Sequence, residues 1–253
     1  MAGDTPSSGG ELAFPDDALA LVPLVRVRWP QWYRLVPSRF PPVRLFEDLG
    51  DPEDWEALAA IESLTNPRLD ASLGDLSKLP PAHRASGTGA SYLVTPFFHA
   101  SADRPGRFHR DGHGALYIAR TLETALAEVA WHQGRFLAAT GEPPGWTSHF
   151  RTLSGQLDAE LRDVRGEVGA ALGLRGEDLA RPQKFADALR ARGERGVVYS
   201  SLRHGNGECA ALFRVDGMTG PVQADHLRYH WNGERVDIVE WRPGTASAEI
   251  LRL

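Results

Sequence analysis

Short apolar segments separated by turn-forming residues fill the C-terminal two-thirds of the chain, and no other feature limits its fold as strongly. Each segment has the length and the side chains of a strand rather than of a long helix. The predicted strands are at 92–99, 115–119, 146–153, 197–199 and 209–214. A hairpin is predicted over 227–241, because the dipeptide Asn232-Gly233 favours a tight turn between strands.

Three helices are predicted around these strands. Asp51 and Pro52 form a strong helix start, and apolar residues at helical spacing continue to about residue 64. Thr121 caps a second helix from 122 to about 137, and a polar helical stretch covers 177–192. Short strands mixed with separate helices predict an α+β fold, with a mixed core of short strands and flanking helices, rather than a doubly wound parallel sheet.

Charge and composition exclude several classes of protein. The net charge of −5 argues against nucleic acid as a direct partner, and an RNA-cleaving enzyme is disfavoured because aromatic and basic residues do not repeat together. No stretch reaches the roughly 20 apolar residues of a membrane span, so no membrane partner is expected. Residues 1–12 are small and polar, which predicts a disordered N-terminus without a signal peptide, and hence a cytoplasmic protein.

Three polar residues on separate predicted elements are candidates for chemistry. Arg107 lies in a loop beside Gly106, whose open backbone lets the guanidinium approach a ligand. Glu128 lies beside the apolar stripe of the helix at 122–137, where a carboxylate often lines a cleft. Ser201 follows a strand and precedes a glycine-containing turn. Taken singly, each residue also fits an ordinary position at the surface.

Two pairs of potential metal ligands are spaced four residues apart but do not predict a metal site. His109 and His113 have Gly112 between them, and His204 and Glu208 are separated by two glycines. Metal-binding pairs at this spacing usually lie on a helix, which glycines disfavour. We therefore expect no metal. The single cysteine, Cys209, lies in an apolar segment and is expected to be buried rather than nucleophilic.

Ordered segments of the chain resemble the RES-domain toxins of bacterial toxin–antitoxin pairs, a family named for its Arg, Glu and Ser. Two further segments, 35–40 and 61–69, are similar to the ParT-like branch of that family. Most family members have Gly-Arg-Trp-Asn where this chain has Gly106-Arg107-Phe108-His109, so the mouth of the pocket is expected to differ in shape from theirs. The matching segments are Gly106-Arg107-Phe108-His109, then 116–119 with 123–129, and then 196–203.

The resemblance implies roles for five residues. Arg107, Glu128 and Ser201 are the three naming residues, and they are the implied catalytic set. Tyr117 matches a tyrosine that the family places beside nicotinamide. Arg34 matches an earlier family arginine near the cofactor. All five are implied to bind NAD: the arginines at the pyrophosphate, Glu128 at the ribose, and Ser201 at the ribose or nicotinamide end.

The resemblance also implies the fold and the reaction. It implies a core similar to ADP-ribosyltransferase toxins, in a single domain at 13–253 with a helical N-terminal part and a RES core at about 90–215. Family members consume NAD, some as hydrolases or phosphorylases, and the ParT-like branch transfers ADP-ribose to a protein target. A cognate antitoxin is expected to cover the NAD cleft. The residues leave the acceptor open between water, phosphate and protein, and an inactive binding module with the same fold remains the alternative to an enzyme.

Overall fold

The computed structural model describes residues 14–40, 42, 46–47, 51–63, 73–100, 103, 105–110, 112–242 and 249–253. The segment predicted to be disordered, 1–12, lies outside these residues, as does part of the segment similar to the ParT-like branch. The helices of the described part are α1 (Asp16–Ala20), α2 (Trp55–Ser63), α3 (Ala90–Phe98), α4 (Leu122–Thr140), α5 (Gly166–Ala171) and α6 (Ala180–Ala191). The strands are β1 (Leu24–Pro37), β2 (Leu116–Ala119), β3 (Thr147–Asp163), β4 (Gly196–Ser200), β5 (Glu208–Leu212), β6 (Val222–Trp231), β7 (Val236–Arg242) and β8 (Glu249–Arg252).

The strands form one mixed sheet in the order β1-β2-β5-β4-β3-β6-β7-β8. β1 also pairs with β3, so that β1, β2, β5, β4 and β3 close into a ring. The short pairing of β3 with β4 is parallel, and the other pairings in the described part are antiparallel. Helices packed on a mixed sheet confirm the predicted α+β fold. Two of its strands differ from the short strands expected: β1, where no strand was predicted, has 14 residues, and β3 has 17 residues and extends well beyond the strand predicted at 146–153.

The pairing of β1 with β3 depends on a buried tryptophan. The register runs from Leu24 opposite Arg162 to Pro37 opposite Phe150, and it shifts between Trp29 and Trp32. The Trp32 side chain is fully buried and donates from Nε1 to the Gln156 carbonyl at 3.1 Å. A Cβ at Gly155 would lie 2.8 Å from the Trp32 ring, so the strand can approach this closely only with glycine there.

One predicted strand is wrong. Residues 92–99 lie mostly in α3, which begins after Gly89 at a φ of +83°. Most residues of this helix are buried, including Leu93, Val94, Phe97 and Phe98. A helix that is buried on several sides has a continuous apolar sequence. When such a helix is short and contains β-branched residues, its sequence resembles that of a buried strand.

The elements around the later candidate residues are confirmed. Helix α4 begins at Leu122, and the hydroxyl of its cap, Thr121, accepts from the Thr124 amide at 3.3 Å. The hairpin of β6 and β7 turns at 232–235, where the Asn232 side chain accepts from two backbone amides. Leu126 of α4 packs with residues of β3, β6 and β7, including Phe150, Tyr229 and Val239. This packing fixes α4 against the sheet and thereby fixes the direction of Glu128.

No helix of the described part is long and apolar enough to cross a lipid bilayer.

We predict that Trp32→Ala lowers the free energy of unfolding by about 3–5 kcal/mol, because it leaves a cavity between β1 and β3. Gly155, which faces the Trp32 ring, has no side chain that could fill this cavity. The neighbouring Gln31 is exposed, and Gln31→Ala should stay within about 0.5 kcal/mol of wild type. Urea unfolding followed by circular dichroism measures both. Equal stabilities for the two variants would contradict the role given to Trp32.

Candidate active site

A short hydrogen bond joins the predicted Glu and Ser. The Ser201 hydroxyl, at the end of β4, donates to Glu128 Oε1 on α4 at 2.6 Å. The same hydroxyl oxygen accepts from the amides of Arg203 and His204, each at 3.0 Å. These two donors orient the hydroxyl so that its proton points at the carboxylate. Ser201 is 8% exposed, so its contact with Glu128 is sheltered from water.

The turn that follows Ser201 is fastened to α4. The Ser201 amide donates to the Gly207 carbonyl at 2.8 Å, which closes the turn. His204 Nδ1 lies 2.9 Å from the Thr124 hydroxyl, one helical turn before Glu128. A Cβ at Gly207 would meet the Thr124 side chain at 2.8 Å, so glycine is required for this approach. Helix and turn therefore hold the Glu128 carboxylate from two sides.

Arg34 is a partly buried cation without a carboxylate partner among the described residues. Its NH1 donates to the Tyr117 carbonyl at 2.9 Å, and its Nε is buried with no acceptor within the described part. Burial lowers the pKa of Arg34 to about 10. A buried guanidinium is normally paired, because leaving its charge uncompensated costs several kcal/mol. An anionic ligand in the cleft would supply the missing charge.

Tyr117 connects Arg34 to the loop of Arg107. Its hydroxyl accepts from the Phe108 amide at 2.9 Å and lies 3.0 Å from His109 Nδ1. Burial raises the pKa of the Tyr117 phenol, so the hydroxyl stays protonated at neutral pH. One residue thus binds Arg34 through its carbonyl and the Arg107 loop through its hydroxyl.

The Arg107 side chain is held less tightly. Its guanidinium carbon lies 5.7 Å from the centre of the Tyr199 ring. Within the part of the chain that the structure describes, the guanidinium forms no ion pair or hydrogen bond. Arg107 is therefore a second cation without an ion-pair partner among the described residues, although the Glu177 carboxylate is near enough for its pKa, which the hydrogen bond from Arg203 lowers most, to be lowered by the Arg107 charge as well.

These residues surround one cleft with a volume of about 630 Å³. Four of the five predicted site residues line it: Arg34, Arg107, Tyr117 and Glu128. Ser201 does not line it and reaches it only through Glu128. The sequence did not single out several further lining residues, which include Tyr33, Trp131, His132, Arg135, Glu177, Tyr199 and Arg203.

Two further arginines that line the cleft share one carboxylate as their ion-pair partner. The Arg203 guanidinium lies 3.3 Å from the centre of the Trp131 ring and pairs with Glu177 at 2.7 Å. Arg135 pairs with the same carboxylate at 3.1 Å. Positions 128, 131, 132 and 135 of α4 are three or four residues apart, a spacing that could have revealed this shared face from the sequence.

His132, one turn beyond Glu128, has a lowered pKa. Loss of water around the ring is the largest cause; the Glu128 charge acts in the opposite direction, and Arg203 and Arg135 lower the pKa further. His132 is therefore mostly neutral at pH 7, when it can accept a proton.

The paired residues considered as metal ligands have other partners. His204 contacts Thr124, and Glu208 pairs with Arg165 at 2.5 Å and with Arg120 at 2.8 Å. His113 pairs with Asp187 at 2.8 Å. Among the described residues, no three His, Cys, Asp or Glu side chains are grouped as metal ligands. Cys209 is buried, as expected, and burial raises the pKa of its thiol.

The fold and the cleft together define a class: an α+β protein whose cleft combines unpaired arginines with a carboxylate fixed by a serine. Residues 81–232 match the RES domain family. The chain belongs to this family. The matched region contains Arg107, Tyr117, Glu128 and Ser201, whereas Arg34 precedes it.

Two known proteins are similar to this chain. The uncharacterized protein y4oC of Sinorhizobium fredii is 31% identical over 210 residues, which are 83% of this chain and 86% of that protein. Among solved structures, the crystal structure of the M. tuberculosis MbcT-MbcA toxin–antitoxin complex contains a chain with a TM-score of 0.43 and 14% sequence identity. That similarity covers 79% of this chain and 86% of the other.

We predict that Arg34→Met raises the free energy of unfolding at pH 7 by about 1–2 kcal/mol. The pKa of Arg34 is lower in the folded protein than its usual 12.5, so the buried charge destabilises the fold fully below pH 10. The destabilisation disappears only as the pH rises from about 10 to 12.5. Loss of the bond to the Tyr117 carbonyl reduces the gain.

A second buried arginine provides the control. Arg84 pairs with Glu56 at 2.5 Å and donates to the carbonyls of Leu79, Pro52 and Leu76. Arg84→Met should lower the free energy of unfolding by about 2–4 kcal/mol, because it leaves these acceptors unpaired. Urea unfolding at pH 7 without ligand compares the variants, and destabilisation by both would contradict the account of Arg34.

Proposed function

We propose that this protein is the toxin of a toxin–antitoxin pair, and that it binds NAD, cleaves the nicotinamide–ribose bond and transfers ADP-ribose to a protein target. One observation carries the proposal: a single cleft contains two unpaired arginines, Arg34 and Arg107, together with Glu128 fixed by Ser201. NAD has a diphosphate near a glycosidic bond, so it needs both anion-binding groups and a carboxylate. Membership of the RES domain family supports this choice of substrate.

The arginines bind the pyrophosphate in this proposal. Arg34 lacks a countercharge, and its lowered pKa shows how strongly burial disfavours its charge. A phosphate group at NH2 would form charge-assisted hydrogen bonds there. Arg107 can turn towards the same diphosphate, because its guanidinium lies over the Tyr199 ring and forms no hydrogen bond or ion pair among the described residues.

Glu128 stabilises the reacting sugar. When the bond between ribose C1′ and the nicotinamide nitrogen breaks, its electron pair leaves with nicotinamide, which becomes neutral. The ribose becomes an oxocarbenium-like cation, and the Glu128 carboxylate stabilises it. A nucleophile then adds to C1′ and releases its proton. With a protein acceptor the product is an ADP-ribosylated side chain.

Ser201 acts through Glu128 in this proposal, not by contacting ribose or nicotinamide as the resemblance implies. The hydroxyl is buried, donates to Glu128 Oε1 and does not line the cleft. Tyr117 retains its implied place beside nicotinamide, because it lines the cleft. Its hydroxyl is occupied by the Phe108 amide, which leaves the ring for packing.

The partners and the location follow from the same proposal. A cognate antitoxin covers the cleft and blocks entry of NAD. The toxin acts in the cytoplasm, where it transfers ADP-ribose from NAD to a protein target, as the ParT-like branch does. The reaction needs no metal, because the carboxylate and the arginines supply the electrostatic stabilisation.

Two alternatives differ in the fate of ADP-ribose. Water as acceptor makes the protein an NAD hydrolase, and phosphate makes it a phosphorylase; either depletes NAD. Incubation with adenylate-labelled NAD, with and without phosphate and with cell extract, followed by mass analysis, separates the three products. Label on a protein supports the transferase, whereas absence of free nicotinamide under every condition supports an inactive NAD-fold binding module.

We predict that Glu128→Gln lowers the rate of NAD consumption by about 10²-fold or more, because a neutral amide does not stabilise the developing cation. Release of nicotinamide, measured by chromatography, reports the rate. Glu123→Gln is the matched control: Glu123 is exposed in the first turn of the same helix, and its substitution should leave the rate unchanged. Unchanged turnover in Glu128→Gln would refute the catalytic assignment.

A further inference from the structure

We propose that one face of α6, formed by Gln183, Asp187 and Arg190, holds the loop at 105–114 and thereby positions Arg107 for its anionic ligand. This inference rests on the proposed function, because it gives Arg107 the role of binding a diphosphate. The three residues are spaced by four and three positions, which places them on one side of the helix. No residue of α6 lines the cleft, so the helix can act only through the loop.

Gln183 holds the two ends of the turn that carries Arg107. The turn closes between Gly106 and His109, whose backbones exchange hydrogen bonds at 3.0 and 3.5 Å. Gln183 Nε2 donates to the Gly106 carbonyl at 2.9 Å and to the His109 carbonyl at 3.2 Å. Arg107 lies between these two anchored carbonyls, so its main chain is fixed while its side chain stays free.

Arg190 holds the same loop further along the helix. Its NH2 donates to the carbonyls of Phe108 and Gly114, each at 2.8 Å. The guanidinium lies 4.0 Å from the centre of the Phe213 ring, which supports it from the other side. Burial lowers the pKa of Arg190 to about 10, and Asp187 opposes this effect. Arg190 therefore holds the loop backbone through NH2, while its NH1 lies 3.5 Å from Asp187 Oδ1.

Asp187 binds the same loop through ion pairs. It contacts Arg110 at 2.6 Å and His113 at 2.8 Å, on the part of the loop beyond Arg107. On the opposite side the Tyr117 hydroxyl accepts from the Phe108 amide. The peptide groups on both sides of Arg107 are therefore bound by side chains from α6 and β2. The backbone hydrogen bonds of Gly106 with His109 and of Arg110 with His113 shape the loop, and the side-chain contacts fix it against α6 and β2 so that Arg107 is presented in one place.

The test is the binding of inorganic pyrophosphate to the full-length protein, measured by calorimetry. Gln183→Glu keeps the shape of the side chain but faces the Gly106 and His109 carbonyls with a second set of acceptors; Gln183→Met removes the donors without adding charge. Both variants should weaken pyrophosphate binding by about 10-fold or more, because a displaced arginine loses its aligned contacts. Gln156→Glu, at an exposed position of β3, is the matched control and should bind as wild type does.

A double-mutant cycle separates positioning from general destabilisation. In an Arg107→Ala background the Gln183 substitutions should cause no further loss of affinity, because their effect acts through Arg107. Amide exchange at Gly106 and His109 should accelerate in both Gln183 variants while exchange in β3 is unchanged. Equal losses with and without Arg107, or unaltered binding in both Gln183 variants, would overturn the positioning role.

NAD turnover by the same proteins distinguishes the two proposals. Wild type that binds pyrophosphate but releases no nicotinamide refutes the NAD-cleaving function and leaves the cycle as a valid test of α6. Wild type that consumes NAD while Gln183→Met has an unaltered KM and kcat refutes the positioning role alone. The expected result is a raised KM with a smaller change in kcat, since Arg107 binds the diphosphate rather than the reacting carbon.

Discussion

The pairing of β1 with β3 is the constraint on which the rest of the cleft depends. Trp32 and Gly155 allow the two long strands to approach, and Arg34 follows two residues later on the same strand. Without this pairing the ring of β1, β2, β5, β4 and β3 would be open, and only the short pairing of β1 with β2 would hold Arg34 beside the Tyr117 carbonyl. A core tryptophan therefore places a charge that the cleft uses.

The cleft is assembled at a cost in stability. Arg34 is partly buried without a carboxylate partner among the described residues, whereas the more deeply buried Arg84 is satisfied by a carboxylate and several carbonyls. The difference separates an arginine that waits for a ligand from one that fastens the fold. Glu128 differs from Arg34, because one of its carboxylate oxygens already accepts a hydrogen bond from Ser201 in the structure. In the proposed reaction, the arginines without an ion pair would bind the diphosphate and the oriented carboxylate would face the developing cation.

The sequence predicted the elements whose signals are local. The Thr121 cap and the Asn232-Gly233 turn each depend on neighbouring residues, and both were confirmed. The apolar stripe predicted for α4 was confirmed in part: Ala125 and Leu126 are buried, but Phe136, predicted to be buried, is 39% exposed. Helix α3 was mistaken for a strand because burial on several sides removes the periodic pattern. The α6 contacts with the Arg107 loop join residues about 75 positions apart through backbone carbonyls, which leave no trace in the sequence. The grouping of Arg107, Glu128 and Ser201 came from their order and their family resemblance, not from any single position.

Tyr117 contacts Arg34 and the loop of Arg107 through different atoms, one in its main chain and one in its side chain. Arg34 binds its main-chain carbonyl, which any residue at this position would retain. The loop of Arg107 binds its phenol hydroxyl, which only tyrosine provides at that reach. Genetic variation at position 117 can consequently alter one half of the anion site while sparing the other. A substitution at this one position would change how Arg107 is positioned for its proposed ligand and would leave the contact of Arg34 with the main chain unchanged.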